Sequence, residues 1–158
     1  MTAERNRAEL SARSAASRQA LGRLGEDAAA RWYEQRGYQI LARNWRTREG
    51  EIDLIARNGM QLAFCEVKAR SSTSFGTPAE SVNFSKRQRI RRLAARWLSD
   101  ARSRSELGSQ RFELRFDVAS VMLRPWTSVA VRMSRPNVGS EAEEIDLVVD
   151  VEVVEAAF

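Results

Sequence analysis

The chain has 158 residues, 43% of them hydrophobic and 30% charged, and its 26 basic and 21 acidic side chains leave a net charge of +5; these values are those of one soluble globular domain with a core of its own. There is no histidine and a single cysteine, Cys65, which excludes an internal disulfide, a Cys/His zinc site and any triad built on an imidazole base. Chemistry must therefore rest on carboxylates, Lys, Arg, Tyr or backbone, no run is apolar and long enough to span a membrane, and the basic balance suits a polyanionic partner.

Residues 1–20 are rich in Arg, Ser and Ala and lack the apolar core of a secretory signal. From Leu10 onward they are similar to a transit peptide, but Glu4 and Glu9 argue against that, and a flexible basic arm is the reading. A single domain is expected over 21–158. Leu24 to Arg36 reads as a helix, with Leu24, Ala28, Trp32 and Gln35 along one side and Ala29 and Tyr33 beside them, stopped by Gly37. Tyr38 to Ala42 is a short strand candidate, and 43–48 an arginine-bearing loop. Glu51–Arg57 and Gln61–Lys68 flank Asn58-Gly59, a strong hairpin signal because tight hairpin turns need positive φ.

Beyond the hairpin, "SSTSFG" reads as loop. A helix starts either at "TPAE" (Thr77–Glu80), with its proline and capping glutamate, or at Ser85, where "SKRQ" is a second capping box. Ile90, Leu93, Ala94, Trp97 and Leu98 make its apolar stripe, and Lys86, Arg89, Arg92 and Arg96 lie off it. "RFELRFDVASVML" alternates Phe112, Leu114, Phe116 and Val118 inward as a half-buried strand, residues 136–144 read as a surface loop, and "IDLVVDVEVV" as the final strand.

The hairpin concentrates the chemistry. With Asn58-Gly59 as its two-residue loop, Arg57 faces Met60, Asp53 faces Phe64 and Glu51 faces Glu66. Ile52, Leu54 and Ala56 then share one apolar face with Ala63, Cys65 and Val67, while the other face gathers Glu51, Asp53, Glu66 and Lys68. Carboxylates placed so repel one another unless a cation sits among them. Hard oxygen donors suit Mg²⁺ or Mn²⁺, and Lys68 can orient or deprotonate a metal-bound water while offsetting phosphate charge. An acid-x-Lys triplet alone is a weak signal, and a charged solvent face of an edge hairpin is the bland reading. All but two of the 26 cations are arginine, so a lysine kept here points to a need for its compact or titratable ammonium.

Asp53 followed across a hairpin by Glu66-x-Lys68 resembles the PD-(D/E)xK active site of the restriction-endonuclease-like superfamily. "LGRLGEDAAARWYEQRGYQIL", "NWRTREGEIDLIA", "FCEVKARSSTSFGTP" and "RFDV" are similar to the bacterial YraN family, predicted nucleases with relatives among archaeal Holliday-junction resolvases. The likeness covers about residues 21–121, and "VEAAF" resembles the family's closing residues. Superfamily members often carry Pro before the first aspartate, where this chain has Ile52, as does the closer family.

The resemblance implies an α/β fold, a restriction-endonuclease-like central mixed β-sheet flanked by helices. It implies a divalent metal, Mg²⁺ with Mn²⁺ as substitute, held by Asp53 and Glu66, with Lys68 as the third catalytic member and Glu26 as a fourth, acidic one. Read from the residues alone, Glu26 could instead favour a helix N-terminus. Glu51 aids the metal, pairs with an arginine or marks the strand start. Lys86 contacts phosphate or belongs to a solvated helix face; Asp117 reads as the partner of an arginine; Trp32 and Trp97 read as core, Trp45 as a candidate for base stacking, and Cys65 as buried and inert. Arg46, Arg48, Lys86, Arg89 and Arg92 would grip the nucleic-acid backbone.

The expected activity is metal-dependent endonucleolytic hydrolysis in the bacterial cytoplasm, on DNA before RNA and on branched DNA in particular, with no membrane partner and a homodimer if two sites must act together. The competing reading is a non-catalytic nucleic-acid-binding module of a repair, recombination or uptake complex. A third is a basic scaffold for an acidic protein surface.

Overall fold

The computed structural model describes residues 2–71, 82–100, 107, 111–125 and 147–158, and of residues 2–14, 125 and 147 the backbone alone. The Thr77–Glu80 helix start and the 136–144 loop lie outside the described residues. The elements run α1 (Thr2–Glu34), β1 (Gln39–Thr47), β2 (Gly50–Asn58), β3 (Gln61–Arg70), α2 (Phe84–Ser99), β4 (Glu113–Pro125) and β5 (Leu147–Val154). The five strands form one sheet in the order β1-β2-β3-β4-β5, antiparallel except for the parallel β3–β4 pair. This mixed sheet with a helix on each face is an α/β fold, consistent with the restriction-endonuclease-like architecture.

The first helix begins at Thr2 rather than near Leu24, so the stretch read as an arm is helical, and residues 15–20 are exposed along it. Its end is as expected. The Gly37 N–H donates to Glu34 O at 3.0 Å and the Tyr38 N–H to Tyr33 O at 3.1 Å, with Gly37 at φ +81°. That paired closure caps the last carbonyls and requires a residue that tolerates positive φ. The buried face is not the one through Leu24, which is 44% exposed, but the one through Gly25, Ala29 and Tyr33. Small residues win because the helix lies close on the sheet: a Cβ on Gly25 would come within 2.5 Å of Ala69 Cβ.

Residues 43–47 are strand, not loop. β1 pairs with β2 from Gln39↔Arg57 to Thr47↔Gly50, with a register shift between Ile40 and Ala42. Exposed Arg43 and Arg46 alternate with partly buried Leu41, Ala42 and Trp45 imperfectly, which hides the period-two signal. The β2–β3 hairpin is also re-registered. Asn58 pairs with Gln61 and Leu54 with Cys65, so the loop residues are Gly59, at φ +57°, and half-exposed Met60. The shift is two positions from the expected pairing, which leaves the paired residues Leu54–Asn58 and Gln61–Cys65 on their expected faces, and the apolar pattern alone cannot distinguish the two registers.

Both faces of the sheet are buried. Ala29, Ala30 and Tyr33 of α1 pack on Leu54, Ala56, Ala63, Cys65, Ala119, Val121 and Leu123, while Leu93, Ala94 and Trp97 of α2 pack on Ile52, Ile55, Leu62 and Phe64. Phe64 meets Trp97 edge to face at 5.8 Å. Side chains of this size, fully buried, each contribute ~1.5–3 kcal/mol. Ile52 thus leaves the face shared by Leu54 and Ala56, and the face expected to be polar is apolar over most of its length. Leu114 is 41% exposed rather than inward. Along α2 the buried residues are Ile90, Leu93, Ala94 and Trp97, the expected stripe, but the helix is capped by Asn83, whose side chain accepts the Lys86 N–H at 2.9 Å, rather than by Ser85.

One buried charge holds several elements together. Asp117, fully buried, accepts the Tyr33 hydroxyl at 2.6 Å, the Ala156 N–H at 3.0 Å and a guanidinium fork from Arg115. A buried carboxylate is tolerable only when its lone pairs are filled in this way. Asp117 is the partner of an arginine, as expected.

Candidate active site

Where the β2–β3 ladder ends at Leu54↔Cys65, the next residue of β2 is Asp53, and its Oδ2 accepts the Val67 N–H at 2.7 Å. The carboxylate replaces a main-chain acceptor and so sits beside the strand that carries Glu66 and Lys68. Glu66 is only 6% exposed. Its Oε1 receives the Lys68 ammonium at 2.7 Å and also the Lys86 ammonium from the first turn of α2. These are the only two lysines of the chain, and both converge on one oxygen.

The electrostatics follow from burial and crowding. Burial first, then the charge of Glu66, pushes the Asp53 carboxyl up to about 7; the Val67 N–H and Lys86 oppose the rise, and Glu26 adds to it. Burial works against the Lys68 ammonium, but the Glu66 carboxylate outweighs it and Lys68 titrates above its ordinary value. Lys86 goes the other way: burial lowers it in spite of Glu66, and Lys68 reinforces the lowering. The Glu66 carboxylate thus favours the charged form of Lys68.

Glu26, on α1, lies outside the cleft's lining but near enough for its charge to act on Asp53, and it is held by a residue the sequence did not single out. Asn44, at φ +50°, donates its side-chain amide to Glu26 Oε2 at 2.6 Å. Asparagine is one of the few side chains at home in that left-handed conformation. Gly25, whose pairing with Glu26 as "GE" belongs to the family-like sequence, has a packing role: without it α1 could not lie so close to β3.

Asp53 and Glu66 line an open cleft of about 530 Å³, together with Arg46 and Glu51 of the first hairpin and Lys86 and Arg89 of α2. Arg46 Nε bonds Glu51 Oε2 at 2.7 Å, so Glu51 pairs with an arginine. Gly50, at φ +146°, lets the hairpin seat on α2: a Cβ there would meet Arg89 Cδ and Leu93 Cδ1 at 3.3 Å. Of the expected backbone-gripping residues, Arg46, Lys86 and Arg89 line the cleft, whereas Arg48 and Arg92 are exposed outside its lining. Trp45 is partly buried against the α2-side core rather than free to stack on a base. Trp97 is core, Trp32 is partly buried under the Arg36 guanidinium at 3.8 Å, and Cys65 is buried with its thiol pushed up by burial.

Among the described residues no three acidic, cysteine or histidine side chains close into a ready cation cage. Mg²⁺ does not need one, since it is commonly held by one or two carboxylates with waters and substrate phosphate completing its shell. The donor set fits that pattern: partly buried Asp53 and buried Glu66 offer hard carboxylate oxygens, and the Asp53 carboxyl is raised first by burial and then by Glu66, a cost that a divalent cation would offset.

A family model described as uncharacterised protein family UPF0102, the YraN family, matches residues 25–121. The UPF0102 protein of Nocardia farcinica is 52% identical over 108 residues, covering 68% of this chain and 80% of that one. The UPF0102 protein of Frankia casuarinae is 52% identical over 111 residues, 70% and 88% of the two chains, and that of Rhodococcus jostii 49% over 104 residues, 66% and 83%. None of these descriptions states an activity, and all of the cleft residues lie within the matched span.

Proposed function

The chain belongs to the uncharacterised protein family UPF0102, and from that premise and the geometry of the cleft we propose that it is a divalent-metal-dependent endonuclease acting on nucleic-acid phosphodiesters. The observation that carries this reading is the partly buried Asp53 beside the buried Glu66, in a cleft whose walls also hold Arg46, Lys86 and Arg89, with Glu51 paired to Arg46. A pure binding surface gains nothing from acids that repel each other and the phosphate.

Asp53 and Glu66 would hold Mg²⁺ or Mn²⁺, with Glu26, steadied by Asn44, adding negative charge beside them. When bound, the cation supplies Lewis-acid polarisation of the phosphate and lowers the pKa of its water. Lys68, kept charged by Glu66, donates hydrogen bonds to the attacking water or to a phosphate oxygen and offsets charge as it builds. Arg46 and Arg89 hold the flanking backbone so that the scissile phosphorus is in line. The water oxygen would bond to phosphorus and give up a proton to solvent, while the bond to the leaving sugar oxygen breaks and that oxygen takes a proton from solvent.

The test is cleavage of labelled four-way-junction, flap, single-stranded and linear duplex DNA, with matching RNA, in Mg²⁺ and in Mn²⁺, beside Asp53→Asn and Lys68→Ala. Cutting that needs the metal and is lost in both variants supports the reading and identifies the substrate. Binding without cutting in either metal overturns it in favour of a nucleic-acid-binding module, and absence of salt-dependent binding would leave a protein partner as the better account.

A further inference from the structure

We propose that Phe158 is a positioning residue, which holds the first turn of α2 so that Lys86 stays on Glu66. The proposal concerns the same cleft as the nuclease reading but rests only on the apo geometry. The helix is supported in two separate places. From Leu93 to Trp97 it packs on β2 and β3, whereas Val82 and Ile90, at its start, pack on Val118 and Phe116 of β4 and on Ala157 and Phe158. The turn that carries Lys86 therefore leans on the segment that follows β5.

That segment is fastened to β4 by main-chain bonds. The Ala156 N–H donates to Asp117 Oδ1 at 3.0 Å and the Ala157 N–H to Phe116 O at 2.8 Å. The Phe158 ring then stacks on Phe116, centroids 5.6 Å apart, and the guanidinium carbons of Arg87 and Arg91 stand 5.6 and 5.9 Å from it. Arg87 and Arg91 are one helical turn apart and both face the ring, so Phe158 spans the first two turns of α2. Arg87 also donates to Val82 O at 2.8 Å, tying the residue before the cap into the same cluster. Lys86 adjoins Arg87 in this turn and ends on Glu66.

The chain's two lysines make a direct test possible, because protein labelled with ¹³C-lysine shows two side-chain Cε signals, assigned with Lys86→Arg. In the metal-free, nucleic-acid-free protein, Phe158→Ala is expected to move the Lys86 signal toward that of a free lysine and to sharpen it, with a smaller change at Lys68. Phe158→Tyr, which keeps the ring, is expected to restore the wild-type position. Arg91→Gln, at an exposed helix position, is expected to shift Lys86 in the same direction by less, and serves as the test should Phe158→Ala fail to fold. An unmoved Lys86 signal in folded Phe158→Ala, or a Phe158→Tyr spectrum matching that of Phe158→Ala, overturns the assignment. No cleavage is measured, so the outcome is independent of whether the cleft hydrolyses nucleic acid.

Discussion

On the proposed reading, Asp53 is the residue at which stability and function oppose each other. Its carboxyl is raised from an ordinary 3.8 to about 7 in the folded chain, chiefly by burial and then by Glu66. Between those values the native state binds more protons than the unfolded one, so stability falls as pH rises from about 4 to about 7 and stays reduced above it. Asp53→Asn keeps an oxygen for the Val67 N–H and removes the charge. The variant is therefore expected to be more stable than wild type by ~1–3 kcal/mol at pH 8, with the difference vanishing near pH 4. Urea midpoints of the metal-free protein across that range check it; a gap independent of pH would mean the carboxylate is not under this strain. Added Mg²⁺ should narrow the gap at pH 8, because a bound cation stabilises the ionised wild-type site and not the amide.

At the scale of elements, the close approach of α1 to β3 is the feature that places Glu26. Gly25→Ala forces its new methyl to within 2.5 Å of Ala69 Cβ, so the helix must move. Overpacking of this kind costs ~1–3 kcal/mol, from which the better helix propensity of alanine recovers about 1. Adding Ala69→Gly to Gly25→Ala should restore stability instead of subtracting further, a non-additivity that marks direct contact. Denaturant unfolding of the four proteins reads it, and simple additivity would show that the helix does not lie this close. The same elements show what could be read beforehand. The stripe of α2 and the Gly37 stop were legible because they rest on local periodicity and short-range turn chemistry, whereas Asp53 and Glu66 were singled out from the hairpin's faces and the family resemblance. The hairpin register was not, since a two-residue slip preserves both faces. Arg43–Thr47 was mistaken for a loop because arginines mask a strand whose apolar residues are only half-buried. The role of Asn44 toward Glu26 depends on a contact across 18 residues of sequence, which no local pattern encodes; that of Lys86 toward Glu66 spans 20, so a lysine read as a phosphate contact is found on a carboxylate.

For the whole molecule, the balance of charge in the cleft decides what can enter it. On the nuclease reading a substrate phosphate would approach past Asp53 and Glu66, and the latter already carries two ammonium partners. Attraction therefore falls to Arg46 and Arg89 at the walls, with exposed Arg48 and Arg92 beyond them. If about four phosphates are engaged, the logarithm of the duplex-DNA binding constant should fall with the logarithm of salt with a slope of about −4. Arg89→Ala should weaken binding on every sequence alike and reduce the slope by about 1. Arg46→Ala should weaken binding at least as much, since it removes a positive charge and frees Glu51 from its 2.7 Å partner, leaving an unpaired carboxylate at the cleft. Fluorescence anisotropy from 50 to 300 mM salt, with Ca²⁺ replacing Mg²⁺ to prevent cleavage, measures all three slopes across a range in which screening changes strongly. A slope unaffected by Arg89→Ala would place the nucleic acid on another face of the protein, and with it the grounds for reading Lys86 and Arg89 as one wall of the site.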